Sequence, residues 1–310
     1  MQKTLALLAA GMIPAMMFAA DFTLKPTSLW KKTADDAAAI DYDGRKKVWP
    51  RLNLKTEKPL KPNTLYRITF EAKSTSPERI CCGFDAVIKD RKIRLYTRFI
   101  PTAEFKKYTC YFTGGDAPKG MPGIYFDPTS AFRMEVGNIK LDEMTDDLLY
   151  GKNLLAWGDF EEDNTFGADS LKAKDCVKVV DSANFMSGEK SLLLACPEGK
   201  TTAVTSGFIP AIPGKEIEVK FHAKSEEPAQ ILVTLNWWMQ DSKHLFRTFR
   251  FKTEKEWKEY TLRYKVPEDV ETYPALLRNL MTSLKISGQA LAKDGSAEVY
   301  LDDISCAILK

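Results

Sequence analysis

The 310-residue sequence predicts an all-β protein built from two tandem antiparallel β-sandwich domains. Three observations carry this. Phe70-Glu71-Ala72-Lys73-Ser74 returns as Phe221-His222-Ala223-Lys224-Ser225, a shift of 151 positions that also pairs Pro62 with Pro213, Pro77 with Pro228 and Asp90 with Asp241. Both copies lie in stretches where apolar and polar residues alternate with the period of a half-buried strand. Turns rich in Gly, Pro and Asp separate further strand-like runs at short intervals, the pattern of a sandwich. A shift this long exceeds the roughly 20–50 residues of a solenoid unit and matches a whole copied domain.

Taken in order, Met1 to Ala20 reads as an export signal. Lys3 supplies a basic start, Leu5 to Ala10 begins an apolar stretch, and Ala19-Ala20 precede the charged Asp21. The expected product is secreted or periplasmic, and no other apolar run approaches the ~20 residues of a membrane span. A first domain, residues 21–147, begins with loops and short strands, among them Val48 to Leu54. From Leu65 to Lys73 the residues Tyr66, Ile68, Phe70 and Ala72 share one face and Arg67, Thr69, Glu71 and Lys73 the other. Strands are then expected at Ile80–Ile88, Ile93–Ile100, Tyr108–Phe112 and Arg133–Leu141.

The boundary falls near Thr145–Lys152, and the second domain takes residues 148–310. Its copy of the central strand keeps the phase, with Ile217, Val219, Phe221 and Ala223 inward. Further strands are expected at Leu192–Ala195, Ile231–Met239, Leu245–Phe251, Tyr260–Val266 and Val299–Ile308. Pro274 to Lys285 fits either a short helix or a bulged strand.

Apolar residues make up 44% of the chain, which excludes wholesale disorder. The net charge of +3 is unevenly spread: residues 21–150 carry 23 Lys/Arg against 18 Asp/Glu, and residues 151–310 carry 21 against 24. Neither half has the basicity of a nucleic-acid footprint. Of the six cysteines, Cys176 with Cys196, and Cys110 with Cys81 or Cys82, are pairings the strand order permits; free buried thiols fit as well. No spacing resembles a zinc site. His222 and His244 are the only histidines, and no nucleophile, metal-protease or phosphate-loop motif is present, so no catalytic residue is assigned. Paired carboxylates for glycoside hydrolysis are defined in space rather than in sequence, and no pair stands out.

The second half opens with Asn153-Leu154-Leu155-Ala156-Trp157-Gly158-Asp159-Phe160-Glu161 and closes with Val299-Tyr300-Leu301-Asp302-Asp303-Ile304. Between them lie Gly188-Glu189-Lys190-Ser191-Leu192, Pro213-Gly214-Lys215 and Trp257-Lys258-Glu259-Tyr260-Thr261. In this order the motifs resemble carbohydrate-binding modules of the family 4/9/16/22 type, galactose-binding-domain-like β-jelly rolls, over residues 153–308. Residues 21–147 resemble them only through the repeat, as a degenerate copy in which Gly137-Asn138-Ile139 stands where Asp302-Asp303-Ile304 does. The resemblance implies one structural calcium in the second domain, held by Glu161 and Asp302 with carbonyls of the Gly188 turn.

Sugar rings present C–H faces and hydroxyl edges, so a glycan site needs an aromatic platform beside polar groups. Thr234, Asn236, Trp238 and Gln240 share one face of a strand, and Arg247 lies on the next. Trp238, Asn236, Gln240 and Arg247 are therefore the candidate carbohydrate-binding residues; the alternative for Trp238 is that it covers the neighbouring domain. Arg45-Lys46-Lys47 with Trp49 and Arg51 is either a solvated turn or a contact for an anionic polysaccharide, and Trp257 reads as core. The expected function is a non-catalytic, exported carbohydrate-binding protein whose partner is a polysaccharide or glycan. A structural or surface-assembly protein is the alternative, with a jelly-roll polysaccharide lyase or glycoside hydrolase third.

Overall fold

The structure, a computed structural model, describes the chain except residues 1–17, 28, 45–49, 63, 76–79, 89–90, 114–121, 127–130, 156–157, 162–175, 181–183, 239–243, 269–279 and 292–294, and for part of the strands it gives the backbone alone. The first half holds β1 (Phe18–Ala19), β2 (Phe22–Pro26), β3 (Trp30–Ala34), β4 (Ala37–Tyr42), β5 (Arg51–Thr56), β6 (Leu65–Ser74), β7 (Ile80–Ile88), β8 (Arg91–Phe99), β9 (Lys106–Thr113), β10 (Gly123–Phe126) and β11 (Phe132–Glu143). The second holds β12 (Val177–Val180), β13 (Ser191–Cys196), β14 (Thr201–Ala211), β15 (Glu216–Lys224), β16 (Ala229–Trp238), β17 (His244–Lys252), β18 (Lys258–Lys265), β19 (Leu280–Ala290) and β20 (Ala297–Ile308). Among the described residues no helix is long and apolar enough to cross a membrane.

These strands make four antiparallel sheets. In the first half the orders are β3-β4-β11-β6-β9, with β1 on β11, and β2-β5-β10-β7-β8. In the second they are β12-β13-β20-β15-β18 and β14-β19-β16-β17. The sequence β4-β11-β6-β9 is thus repeated as β13-β20-β15-β18, and β5-β10-β7-β8 as β14-β19-β16-β17. Each half is a β-sandwich, and the copy extends to strand order.

Every fixed letter of the repeated pentapeptide has a structural task in both halves. Phe70 and Phe221 are buried and stack on Tyr108 and Tyr260, with ring centroids 5.4 Å and 5.3 Å apart. Each phenylalanine also meets a ring from the opposite sheet edge-on, Phe99 at 5.8 Å and Phe251 at 5.6 Å. Ala72 and Ala223 are wholly buried. The Lys73 ammonium sits 4.6 Å over the Phe105 ring, and the Lys224 ammonium 5.6 Å over the ring of Trp257. The Ser74 amide donates to the Thr102 carbonyl and that of Ser225 to the Glu254 carbonyl, each closing the loop before the next strand.

The second position, Glu71 or His222, faces a β-bulge in the neighbouring strand. The bulge places Asn138 (φ 51°) and Asp303 (φ 49°) in the left-handed region, which Asn and Asp tolerate better than other residues with a Cβ. Asn138 donates to Glu71 at 2.6 Å, and in the other half His222 Nδ1 lies 3.7 Å from Asp303. The pair is kept while its chemistry changes.

Several expectations are refined. Leu280–Ala290 is a strand throughout, so the helical alternative for Pro274–Lys285 fails where the chain is described. It forms the sheet neighbour of both β14 and β16, which fixes its extended form. Trp257 is half-buried beneath Lys224 rather than core, because it sits at the strand's entry and not within it. Cys82, Cys110, Cys176, Cys196 and Cys306 are free thiols, and burial pushes Cys196 up to about 11 and Cys306 to about 12. The two halves touch where the β14 bulge meets the first sandwich: a Cβ on Gly207 would lie 2.3 Å from Thr97 Cγ2.

Deleting a ring from either triad leaves a cavity between two sheets. Phe70→Ala and Phe221→Ala are each expected to cost about 3–5 kcal/mol, read as a lowered urea midpoint.

Candidate functional site

The opening motif of the second half builds a clasp. Asn153 Oδ1 accepts from the amides of Leu155 and Cys306, both at 3.1 Å, and so ties the linker to β20. Gly158 runs so close to β20 that a Cβ there would collide with the Ile304 carbonyl oxygen, while its own carbonyl accepts from the Ile304 amide at 2.8 Å. Phe160 adopts φ 58° and is fully buried. That turn delivers Glu161 to the loop around Gly188.

Glu161 and Asp302 do converge on this one loop, from opposite sides in the chain. Glu161 Oε1 accepts from the amides of Glu189 and Lys190, both at 2.9 Å. Asp302, fully buried, accepts at Oδ2 from Met186 (2.8 Å) and Ser187 (3.1 Å), and at Oδ1 from the Asp303 amide (2.8 Å). Burial pushes the Asp302 carboxyl above the ordinary carboxylate range, with these three amides pulling against it. Calcium needs six to eight oxygen ligands; among the described residues the Gly188 loop meets these carboxylates through its amide hydrogens. Amides already engage three of the four carboxylate oxygens, and no group of three or more metal-ligating side chains gathers here among the described residues, so the pair is arranged as a clasp on the backbone.

The candidate sugar face lies on the four-stranded sheet. Buried Ile231, Val233 and Leu235 point β16 into the core and leave Gln230, Leu232, Thr234 and Asn236 on the outward side. Strand pairing builds rows across that side. Gln289, Gln230 and Lys252 form one row, and Ser287, Leu232 and Arg250 the next. Lys285, Thr234 and Thr248 follow, then Ser283, Asn236 and Phe246. Gln230 donates to Gln289 at 2.8 Å, and the Thr234 and Thr248 hydroxyls lie 3.0 Å apart. Phe246 is 60% exposed beside Asn236.

Of the predicted binding residues, Asn236 stands on this face, and Trp238 takes the next outward register position, opposite His244. Gln240 lies outside the described residues, as do Arg45-Lys46-Lys47 and Trp49. Arg247 does not join Asn236. It pairs with Leu235, on the core-facing phase, where the end of an edge strand leaves it exposed, and its Nη1 donates to the Phe246 carbonyl at 3.1 Å. The position beside Asn236 belongs to Phe246, which the sequence reading missed. Its strand holds Phe246, Phe249 and Phe251 on mixed phases, so alternation alone did not identify the outward ring.

In fold, the chain is similar to carbohydrate-binding modules. The N-terminal tandem of two family 22 modules from Paenibacillus barcinonensis Xyn10C aligns over 93% of this chain and 97% of that one, at 12% identity and a TM-score of 0.36. TmCBM61, solved with β-1,4-galactotriose, aligns over 50% of this chain and 98% of its own at 18% identity and a TM-score of 0.34. A family 16 module aligns over 42% and 84% at 16% identity and a TM-score of 0.30. No family model and no curated protein sequence matches. At such identities the similarity concerns the fold and assigns no ligand.

Removing the Asp302 carboxylate leaves three part-buried amides without their acceptor. Asp302→Ala is expected to lower stability by about 2–3 kcal/mol, read by urea denaturation. Calcium or a chelator is expected to leave the melting temperature of the unmodified protein unchanged; a chelator-sensitive melting temperature would return calcium to the Glu161–Asp302 pair.

Proposed function

We propose that this is an exported polysaccharide-binding protein that acts by binding rather than catalysis. Its glycan would lie along the outward face of β14-β19-β16-β17 in the second sandwich. The observation that supports this reading is the pairing of an exposed ring, Phe246, with successive rows of amide and hydroxyl side chains. An apolar ring can cover the C–H face of a sugar, while Asn236, Thr234, Thr248, Gln230 and Gln289 are donors and acceptors for hydroxyls. The exposed part of the face is its β17 side, where Phe246, Arg250 and Lys252 stand clear, while β14 at the other edge meets the first sandwich. Trp238 at the adjoining register position would lengthen the platform. Export rests on the Met1–Ala20 sequence.

A glycan array or affinity electrophoresis on the full chain tests the proposal. Phe246→Ala is expected to weaken binding at least about tenfold, with the melting temperature unchanged because the ring is exposed. Trp238→Ala is expected to weaken binding likewise. Absence of binding to every polysaccharide tried would reject the reading and favour a protein-contact role for this face.

A further inference from the structure

The four strands of the proposed face contain no aspartate or glutamate. They carry Arg247, Arg250, Lys252 and Lys285, with His244 at the strand's start. This occurs in the half of the chain where acids outnumber bases. The opposite sheet of the same sandwich holds Glu216, Glu218, Glu259, Glu298, Asp302 and Asp303, and there Glu218 meets Arg263 at 2.7 Å and Lys220 at 3.5 Å. The acids are therefore confined to one of two sheets that lie back to back, where lysines and arginines match them in number, while the other sheet carries cations alone.

The outward cations are not consumed by the fold. Arg250 and Lys252 are exposed and Lys285 half-buried, and none of the three makes an ion pair among the described residues. An unpaired cation held on a sheet face raises the local positive potential. Lys285 and Arg250 flank β16 on either side, one row apart. Ordinary strand spacing puts their backbones roughly 12 Å from each other, about the length of a disaccharide, with Thr234 and Leu232 between them.

The first sandwich repeats the asymmetry with different residues. Its corresponding sheet, β2-β5-β10-β7-β8, carries seven lysines and arginines on its strands against one acid, Asp85. The individual residues differ between the copies, so the bias has been kept as a property of the sheet and not as a run of inherited letters.

We infer that the polysaccharide held on this face carries uronic acids, with Arg250 and Lys285 receiving carboxylates two sugars apart while Phe246 covers a ring between the charged groups and the strand end. This rests on the proposed glycan-binding reading and names its ligand class. Sparse cations set among hydroxyl- and amide-bearing side chains suit a chain that alternates charge with neutral hydroxyl edges. A uniformly sulfated chain would instead demand a denser basic surface. Arg250 can grip a carboxylate in two-point fashion, and Lys285 supplies a point charge.

Isothermal titration of the full chain against polygalacturonate, neutral galactan, neutral xylan and dextran sulfate tests the inference. Polygalacturonate is expected to bind tightest. Its affinity should fall about tenfold in Arg250→Gln and in Lys285→Gln, and should weaken as salt rises. Both variants are surface changes and should keep the melting temperature. Equal affinity for neutral galactan or xylan, untouched by the two variants, would overturn the uronate inference and leave glycan binding standing. Preference for dextran sulfate would overturn it in favour of charge density alone. Binding to none of the four would sink the glycan reading together with the inference.

Discussion

Each sandwich depends on one contact between its sheets, the three-ring cluster of Phe70, Tyr108 and Phe99, repeated as Phe221, Tyr260 and Phe251. Two rings stack within one sheet and the third meets them edge-on from the other, with interplanar angles of 83° and 84°. Large rings fill the space between sheets spaced about 10 Å apart, and edge-to-face pairs gain from the ring quadrupole as well as from burial. Phase and register in both sheets follow from this point. A strand that slipped by one residue would withdraw its ring from the cluster.

The pentapeptide that marks the duplication is accordingly a device for folding. Its phenylalanine and alanine are core, its lysine covers an aromatic at the entry to the next strand, and its serine closes a loop. Variation is confined to the second position, and there the facing bulge varies with it, Glu71 with Asn138 and His222 with Asp303. Where the halves part company, the second gains the clasp of Glu161 and Asp302 on the Gly188 loop. That clasp holds a loop beside the last strand through backbone amides. It gives the second half an anchored linker and loop.

Legibility in the sequence tracks how local each determinant is. Alternation in β6 and β15, confirmed by duplication, revealed the central strands and their buried faces. The convergence of Glu161 and Asp302 on one loop was also readable, because the opening and closing motifs bracket it. The loop's amide contacts were not: they follow from a turn at Gly188 (φ 62°) that no side-chain pattern encodes. The outward position of Asn236 was likewise correct, since Val233 and Leu235 are unambiguous core residues. Arg247 was misplaced because β17 is an edge strand, partly exposed on both faces, and its phase shows weakly in its composition.

By itself the sequence determined two copied all-β domains, their core faces and the absence of familiar catalytic motifs, since a period of two and a repeated core are written residue by residue. Tertiary structure alone decided that Phe246 stands beside Asn236, and that the acid-free strands β14, β16, β17 and β19 share one sheet. Those four strands are scattered over 90 residues of chain, interleaved with acid-bearing strands of the other sheet. Only hydrogen-bonded pairing sorts them, so a segregation of charge that averages away along the chain becomes visible as a surface.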